Sequence, residues 1–127
     1  MTNINRLHNL KNPYQGDRIK TLCVCSAGLL RSPTLAHILT QEPYNRNTRA
    51  VGTSKEYALI PLEPYHLLWA DEIICVDMDT ANNIDIYQIG PNIDDKMFIL
   101  NIPDQYSAFS EDLVEAINNE LNRIKYK

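Results

Sequence analysis

Nothing in this chain approaches the ~20 consecutive apolar residues that a membrane-spanning helix requires, and its polar opening does not read as a secretory signal. Basic runs are missing too. Twelve Lys and Arg stand against 16 Asp and Glu, a net charge of −4, which argues against nucleic acid or an anionic membrane surface as the main partner. Cysteine is scarce and odd in number: three residues make no even disulfide framework, and the expected compartment is the reducing cytoplasm. No internal repeat, low-complexity segment or interdomain linker breaks the chain. What remains is an ordinary globular composition, 44% apolar and 22% charged over 127 residues. That is one domain, 1–127, with enough chain to bury a core. Residues 1–17 are polar and weakly patterned, with turn-forming residues from Asn12 to Asp17, and read as an N-terminal arm packed on that domain.

The organising stretch is Cys25-Ser26-Ala27-Gly28-Leu29-Leu30-Arg31-Ser32. Before it, Ile19 to Val24 is short, apolar and β-branched, the pattern of a buried strand. After it, Ser32-Pro33 opens a helical pattern with a hydroxyl at the N-cap and proline at the first helical position. Strand, tight loop and helix N-terminus in that order turn unpartnered backbone N–H groups toward whatever sits in the loop, which favours an anion. Gly28 at mid-loop can take the positive φ that such a turn needs. A sulfur above a helix N-terminus and beside a guanidinium is favoured as the nucleophilic thiolate. Arg31 can grip two oxygens of an oxyanion in a fork that lysine cannot copy. Ser32 can both cap the helix and donate a hydrogen bond to the sulfur.

These residues, from Val24-Cys25 through Arg31-Ser32-Pro33-Thr34, resemble the phosphate-binding loop of the low-molecular-weight protein tyrosine phosphatases, and most of all a shorter branch of that family. The resemblance implies a two-step mechanism through a phosphocysteine, with no metal or cofactor and with an aspartate from a distant loop as general acid. Larger members of the family carry a longer segment with an aromatic that walls the cleft; between Ser54 and Pro61 this chain is short, with Tyr57 the local candidate and an open, less selective cleft the alternative. Ala50-Val51 replaces the Ser-Ala usual in the family before Gly52-Thr53.

The remaining chain alternates helical and strand patterns. Ser32 to Gln41 is a helix with Leu35, Ala36, Ile38 and Leu39 on one side, and Thr48 to Thr53 is a strand. Leu62 to Trp69 is a second helix, with Trp69 assigned to the core, and Glu72 to Asp77 a strand of the continuous apolar kind found in parallel sheets. Asp79 reads as the N-cap of a third helix, to about Ile89, and Asp77 as a structural residue at the strand end. Lys96 to Ile102 is a fourth strand, and Ser110 to Ile124 a helix whose stripe is Leu113, Ile117, Leu121 and Ile124. The expected fold is therefore α/β: one doubly wound, four-stranded parallel sheet with helices on both faces and the phosphate-binding loop after strand 1.

That topology brings the loop after strand 4 to the same sheet edge as Cys25. Pro103-Asp104-Gln105-Tyr106 lies there, and its pattern resembles the Ile-Pro-Asp-x-Tyr of the short branch. Asp104 is the expected general acid, protonating the leaving group and then activating water. Tyr106 either flanks an aromatic substrate or packs locally in the core. The resulting site has Cys25 as nucleophile, Arg31 as phosphate clamp, Ser32 as thiolate stabiliser and Asp104 as acid. The backbone of Ser26, Ala27, Gly28, Leu29, Leu30 and Arg31 forms the anion cradle. The expected substrate is a phosphorylated protein, phosphotyrosine first, or a small aryl phosphate. Two rivals stand beside this reading. An arsenate reductase on the same fold would need further cysteines, for which only Cys23 and Cys75 remain. A module that binds phosphotyrosine or phosphate without turnover would leave the acid unused.

Overall fold

The computed structural model describes residues 18–26, 30–54, 56, 58–84 and 93–127. The N-terminal arm, the centre of the phosphate-binding loop (27–29), Tyr57 and the end of the third helix lie outside the described residues. Strands β1 (Lys20–Cys25), β2 (Asn47–Gly52), β3 (Glu72–Cys75) and β4 (Met97–Ile99) alternate with helices α1 (Arg31–Thr40), α2 (Pro64–Trp69), α3 (Met78–Ile84) and α4 (Glu111–Arg123). The strands form one parallel sheet in the order β2-β1-β3-β4. This is the doubly wound α/β architecture expected. The order reverses between β1 and β3, and in open sheets of this kind the crevice beyond the carboxyl ends at that point is where ligands bind.

Alternation along β1 separates two cores. Cys23 and Cys25 face α1 and α4, in a cluster with Leu35, Leu39, Ile74, Val76, Ile102 and Leu113. Leu22 and Val24 face the other way, toward Val51, Leu67, Ile73, Ala81 and Ile84 beneath α2 and α3. Removing any of the fully buried leucines or isoleucines here should cost about 2–5 kcal/mol.

Helix α4 begins as its residues dictate: Ser110 Oγ accepts from the Leu113 N–H at 3.2 Å, with Glu111 and Asp112 in the first turn. Three boundaries differ from expectation. Helix α1 starts at Arg31 with Leu30 in the cap position, so Ser32 is not the N-cap; its hydroxyl is used elsewhere, as described below. Asp79 does not cap α3, because Asp77 Oδ1 takes both the Thr80 N–H (2.8 Å) and the Thr80 hydroxyl (2.6 Å). Strand β4 stops at Ile99, yet Leu100 and Ile102 still donate backbone hydrogen bonds to Cys75 and Val76, so the chain continues beside β3 in irregular form. Trp69 is half-buried rather than central, and its ring carries the Arg49 guanidinium 3.7 Å from its centroid. No helix among the described residues is long and apolar enough to cross a membrane.

Candidate active site

Three elements deliver the site. Strand β1 ends in Cys25, whose Sγ lies 3.1 Å from Ser32 Oγ in the buried first turn of α1. The Ser32 hydroxyl has a second acceptor, the Val51 carbonyl of β2, at 3.4 Å. A hydroxyl with one proton gives it to the stronger acceptor, and an anionic sulfur outcompetes a carbonyl. The Ser32 hydroxyl thus lies within hydrogen-bond reach of the sulfur from inside the helix rather than from its cap.

Arg31 is buried at 3% exposure and held from behind. Its Nη1 donates to Asp77 Oδ2 at 2.6 Å and to the Ile102 carbonyl at 2.8 Å, which uses both protons on that nitrogen. Nη2 makes only a long contact with Ser26 Oγ, 3.4 Å, and Nε lies 3.8 Å from Asp104 Oδ1. The edge formed by Nε and Nη2 therefore faces Ser26 and Asp104, free of any tight protein bond among the described residues. An edge of this kind can hold two oxygens of an oxyanion. Burial pushes the Asp77 carboxyl upward, but hydrogen bonds from Thr80 and Arg31, with the Arg31 charge, outweigh it and hold the group below its ordinary range. Asp77 is thus an anion that fixes Arg31 while Thr80 fixes Asp77.

Asp104 stands across from this cradle with a side chain 62% exposed. The structure brings Cys25, Ser26, Arg31, Ser32 and Asp104 to one sheet edge. Tyr106 is half-buried and packs against the core cluster under α4, the inward of its two options. The exposed aromatic of this loop is Phe109, at 53% exposure, its ring edge-on to His37. Leu30, at 39%, is the apolar residue at the exit of the phosphate-binding loop. The backbone expected of Ala27, Gly28 and Leu29, and the place of Tyr57, lie outside the described residues.

Sequence reasoning gave Asp77 a structural place but missed its bond to Arg31, and missed Thr80, the Ile102 carbonyl and Phe109. The Asp77-Met78-Asp79-Thr80 spacing is itself a capping signal and would have moved the cap two residues earlier. A backbone carbonyl leaves no such trace. The other two cysteines are fully buried, and no disulfide links any of the three. Burial, with added repulsion from Glu72, pushes the Cys23 thiol well up, so it stays protonated.

Solved structures share this fold. The tyrosine phosphatase Wzb from Escherichia coli K30, in complex with phosphate, aligns with a TM-score of 0.64 at 15% identity, over 84% of this chain and 90% of that one. Wzb from Vibrio vulnificus, in complex with benzylphosphonate, gives 0.59 at 19% identity, over 79% and 90%. The YwlE arginine phosphatase from Geobacillus stearothermophilus gives 0.58 at 19%, over 84% and 88%. No protein-family model and no curated protein sequence matches the chain. At these identities the likeness is one of architecture: the chain has the fold of the low-molecular-weight tyrosine phosphatases.

Proposed function

We propose that the protein is a cysteine-dependent phosphomonoester hydrolase, acting on phosphotyrosine in a protein or on a small aryl phosphate. The observation that carries this reading is the meeting of Cys25, the open edge of Arg31 and Asp104 in one crevice, with Arg31 locked from behind. Proteins of the same fold include tyrosine phosphatases, one with phosphate and another with benzylphosphonate bound.

The chemistry follows from the residues. The phosphoryl group rests in the backbone cradle between Ser26 and Arg31, two of its oxygens on the Arg31 edge. Cys25 Sγ attacks phosphorus, the bond from phosphorus to the aryl oxygen breaks, and Asp104 gives that oxygen its proton. Asp104, now a carboxylate, takes a proton from water as the water attacks the phosphocysteine. The sulfur–phosphorus bond breaks, inorganic phosphate leaves, and the Ser32 hydroxyl bonds the sulfur as charge returns to it.

Two observations weigh against the arsenate reductase reading: Cys23 is buried and held protonated, and Cys75 is buried in the opposite core. Neither is placed to resolve an adduct on Cys25. The test is metal-free hydrolysis of p-nitrophenyl phosphate and of phosphotyrosine. Cys25→Ser should lose at least about 10³-fold in kcat. Asp104→Asn should lose about 10²-fold on phosphotyrosine and much less on the nitrophenyl ester, whose leaving group hardly needs a proton. Tight vanadate binding without turnover of either substrate would favour the binding module instead. Turnover of phosphoarginine alone would move the substrate class to the one named for the YwlE protein.

A further inference from the structure

The loop that carries Asp104 is anchored at both ends but crosses the sheet edge in irregular form. At its start, the Ile102 N–H donates to the Val76 carbonyl at 2.9 Å; at its close, Ser110 caps α4. Beyond the bond from Arg31 to the Ile102 carbonyl, two polar contacts tie it to α1 among the described residues. One is the long approach of Asp104 to Arg31, which a bound phosphate would displace. The other is a hydrogen bond from the Phe109 N–H to Thr34 Oγ1 at 3.0 Å, between residues 75 apart in sequence.

Thr34 is fully buried, and its hydroxyl is used in both directions. It donates its one proton to the Leu30 carbonyl at 2.8 Å and accepts from Phe109. Leu30 is the last residue of the phosphate-binding loop and the residue preceding α1. A single hydroxyl thus joins the exit of the phosphate cradle to the loop bearing the acid. Phe109 has a φ of 59°, a left-handed conformation unfavourable for a residue with a Cβ. Such a conformation persists only where its surroundings impose it. Here the Thr34 bond and the edge-on contact of Phe109 with His37, 5.7 Å between centroids, hold it in place.

We infer that Thr34 is a positioning residue for the general acid: its hydroxyl sets the distance of the Asp104 loop from the phosphate cradle. This rests on the phosphatase reading above and adds to it a residue that touches neither substrate nor the reacting atoms. A misplaced acid weakens proton transfer to the leaving oxygen without weakening the grip on phosphate. The deficit should therefore grow with the basicity of the leaving group.

The experiment compares kcat/KM for a series of aryl phosphates, from p-nitrophenyl to phenyl, in the wild type, Thr34→Val and Thr34→Ser. Valine keeps the shape and loses both hydrogen bonds; serine keeps the hydroxyl. Thr34→Val should lose about tenfold on phenyl phosphate and less than about twofold on p-nitrophenyl phosphate. Thr34→Ser should restore the wild-type dependence, and inhibition by vanadate should stay within about twofold throughout. The Phe109 amide should exchange with solvent at least about tenfold faster in Thr34→Val. A leaving-group dependence unmoved in Thr34→Val overturns the positioning role, as does equal loss on every ester together with weaker vanadate inhibition. Failure of serine to rescue overturns it too. A wild type that hydrolyses no aryl phosphate instead removes the phosphatase reading on which the proposal rests, and the two failures are told apart by that control.

Discussion

The two ends of the sheet each pair an arginine with a carboxylate, and they do so in opposite ways. At the amino-terminal edge each guanidinium nitrogen of Arg46 has a protein acceptor. Its Nε donates to Glu72 Oε1 at 2.9 Å, Nη1 to the Tyr44 carbonyl at 2.6 Å and Nη2 to the Lys127 carbonyl, while the Tyr126 ring lies beneath its guanidinium. Glu72 Oε1 also accepts from the Thr21 hydroxyl at 2.7 Å and from the Tyr126 hydroxyl. Burial, reinforced by Glu72, pushes the Tyr126 phenol far up, so it remains a donor. At the carboxyl-terminal edge Arg31 spends one nitrogen on Asp77 and Ile102 and keeps the rest for contacts of 3.4 and 3.8 Å. A finished ion pair fastens the chain terminus to the sheet. The other leaves an edge of its guanidinium without a tight bond among the described residues, the edge that the proposed chemistry uses.

The contrast is broken most severely by Asp77→Asn. Arg31 then loses its anionic anchor, and kcat/KM on aryl phosphates should fall about 10²-fold, with vanadate inhibition weakened in parallel. Steady-state kinetics check it, and an unchanged vanadate constant would show that Arg31 is positioned by something else. Glu72→Ala should do the reverse at the other edge. Stability should drop on the order of 3 kcal/mol, since Arg46 and Tyr126 lose a shared, partly buried partner, while kcat/KM stays within about twofold. Denaturant unfolding beside the same assay decides this.

The smallest effect sharpens the comparison with pH. His66 is fully buried in α2, its Nδ1 accepting the Glu63 N–H at 2.9 Å. Burial, then the nearby Arg49 charge, lowers its imidazole from 6.5 to about 4. The folded protein therefore refuses a proton that the unfolded chain accepts. Stability is intact above pH 6.5 and falls as the pH drops from there to about 4, by about 2–3 kcal/mol. Thermal unfolding of His66→Gln should show a flatter acid limb. Asp77, held below its ordinary range, adds a loss of its own only below about pH 4.

Local signals carried much of this architecture. Hydrophobic period and capping residues place β1, α1 and α4 within a residue or two, and strand–helix alternation alone brings Cys25 and Asp104 to one edge. Contacts between distant residues were not legible. Arg31 reaches Asp77 across 46 residues, and no pattern within either segment announces it. Ser32 looked like a cap because Ser-Pro is a capping signal; the neighbouring sulfur claimed its hydroxyl. Tyr106 took the inward of its two options, and Phe109, which carried no sequence signal, took the exposed place, for a related reason. An irregular loop has no period, so which of its aromatics turns inward is decided by tertiary packing alone.

The most direct test of the account is chemical capture of its intermediate. Wild-type protein mixed with an excess of p-nitrophenyl phosphate, quenched in acid within the first turnovers and mapped by mass, should carry a phosphoryl group on Cys25. Steady turnover with the phosphoryl group on a different residue, or on none at any quench time, would contradict it.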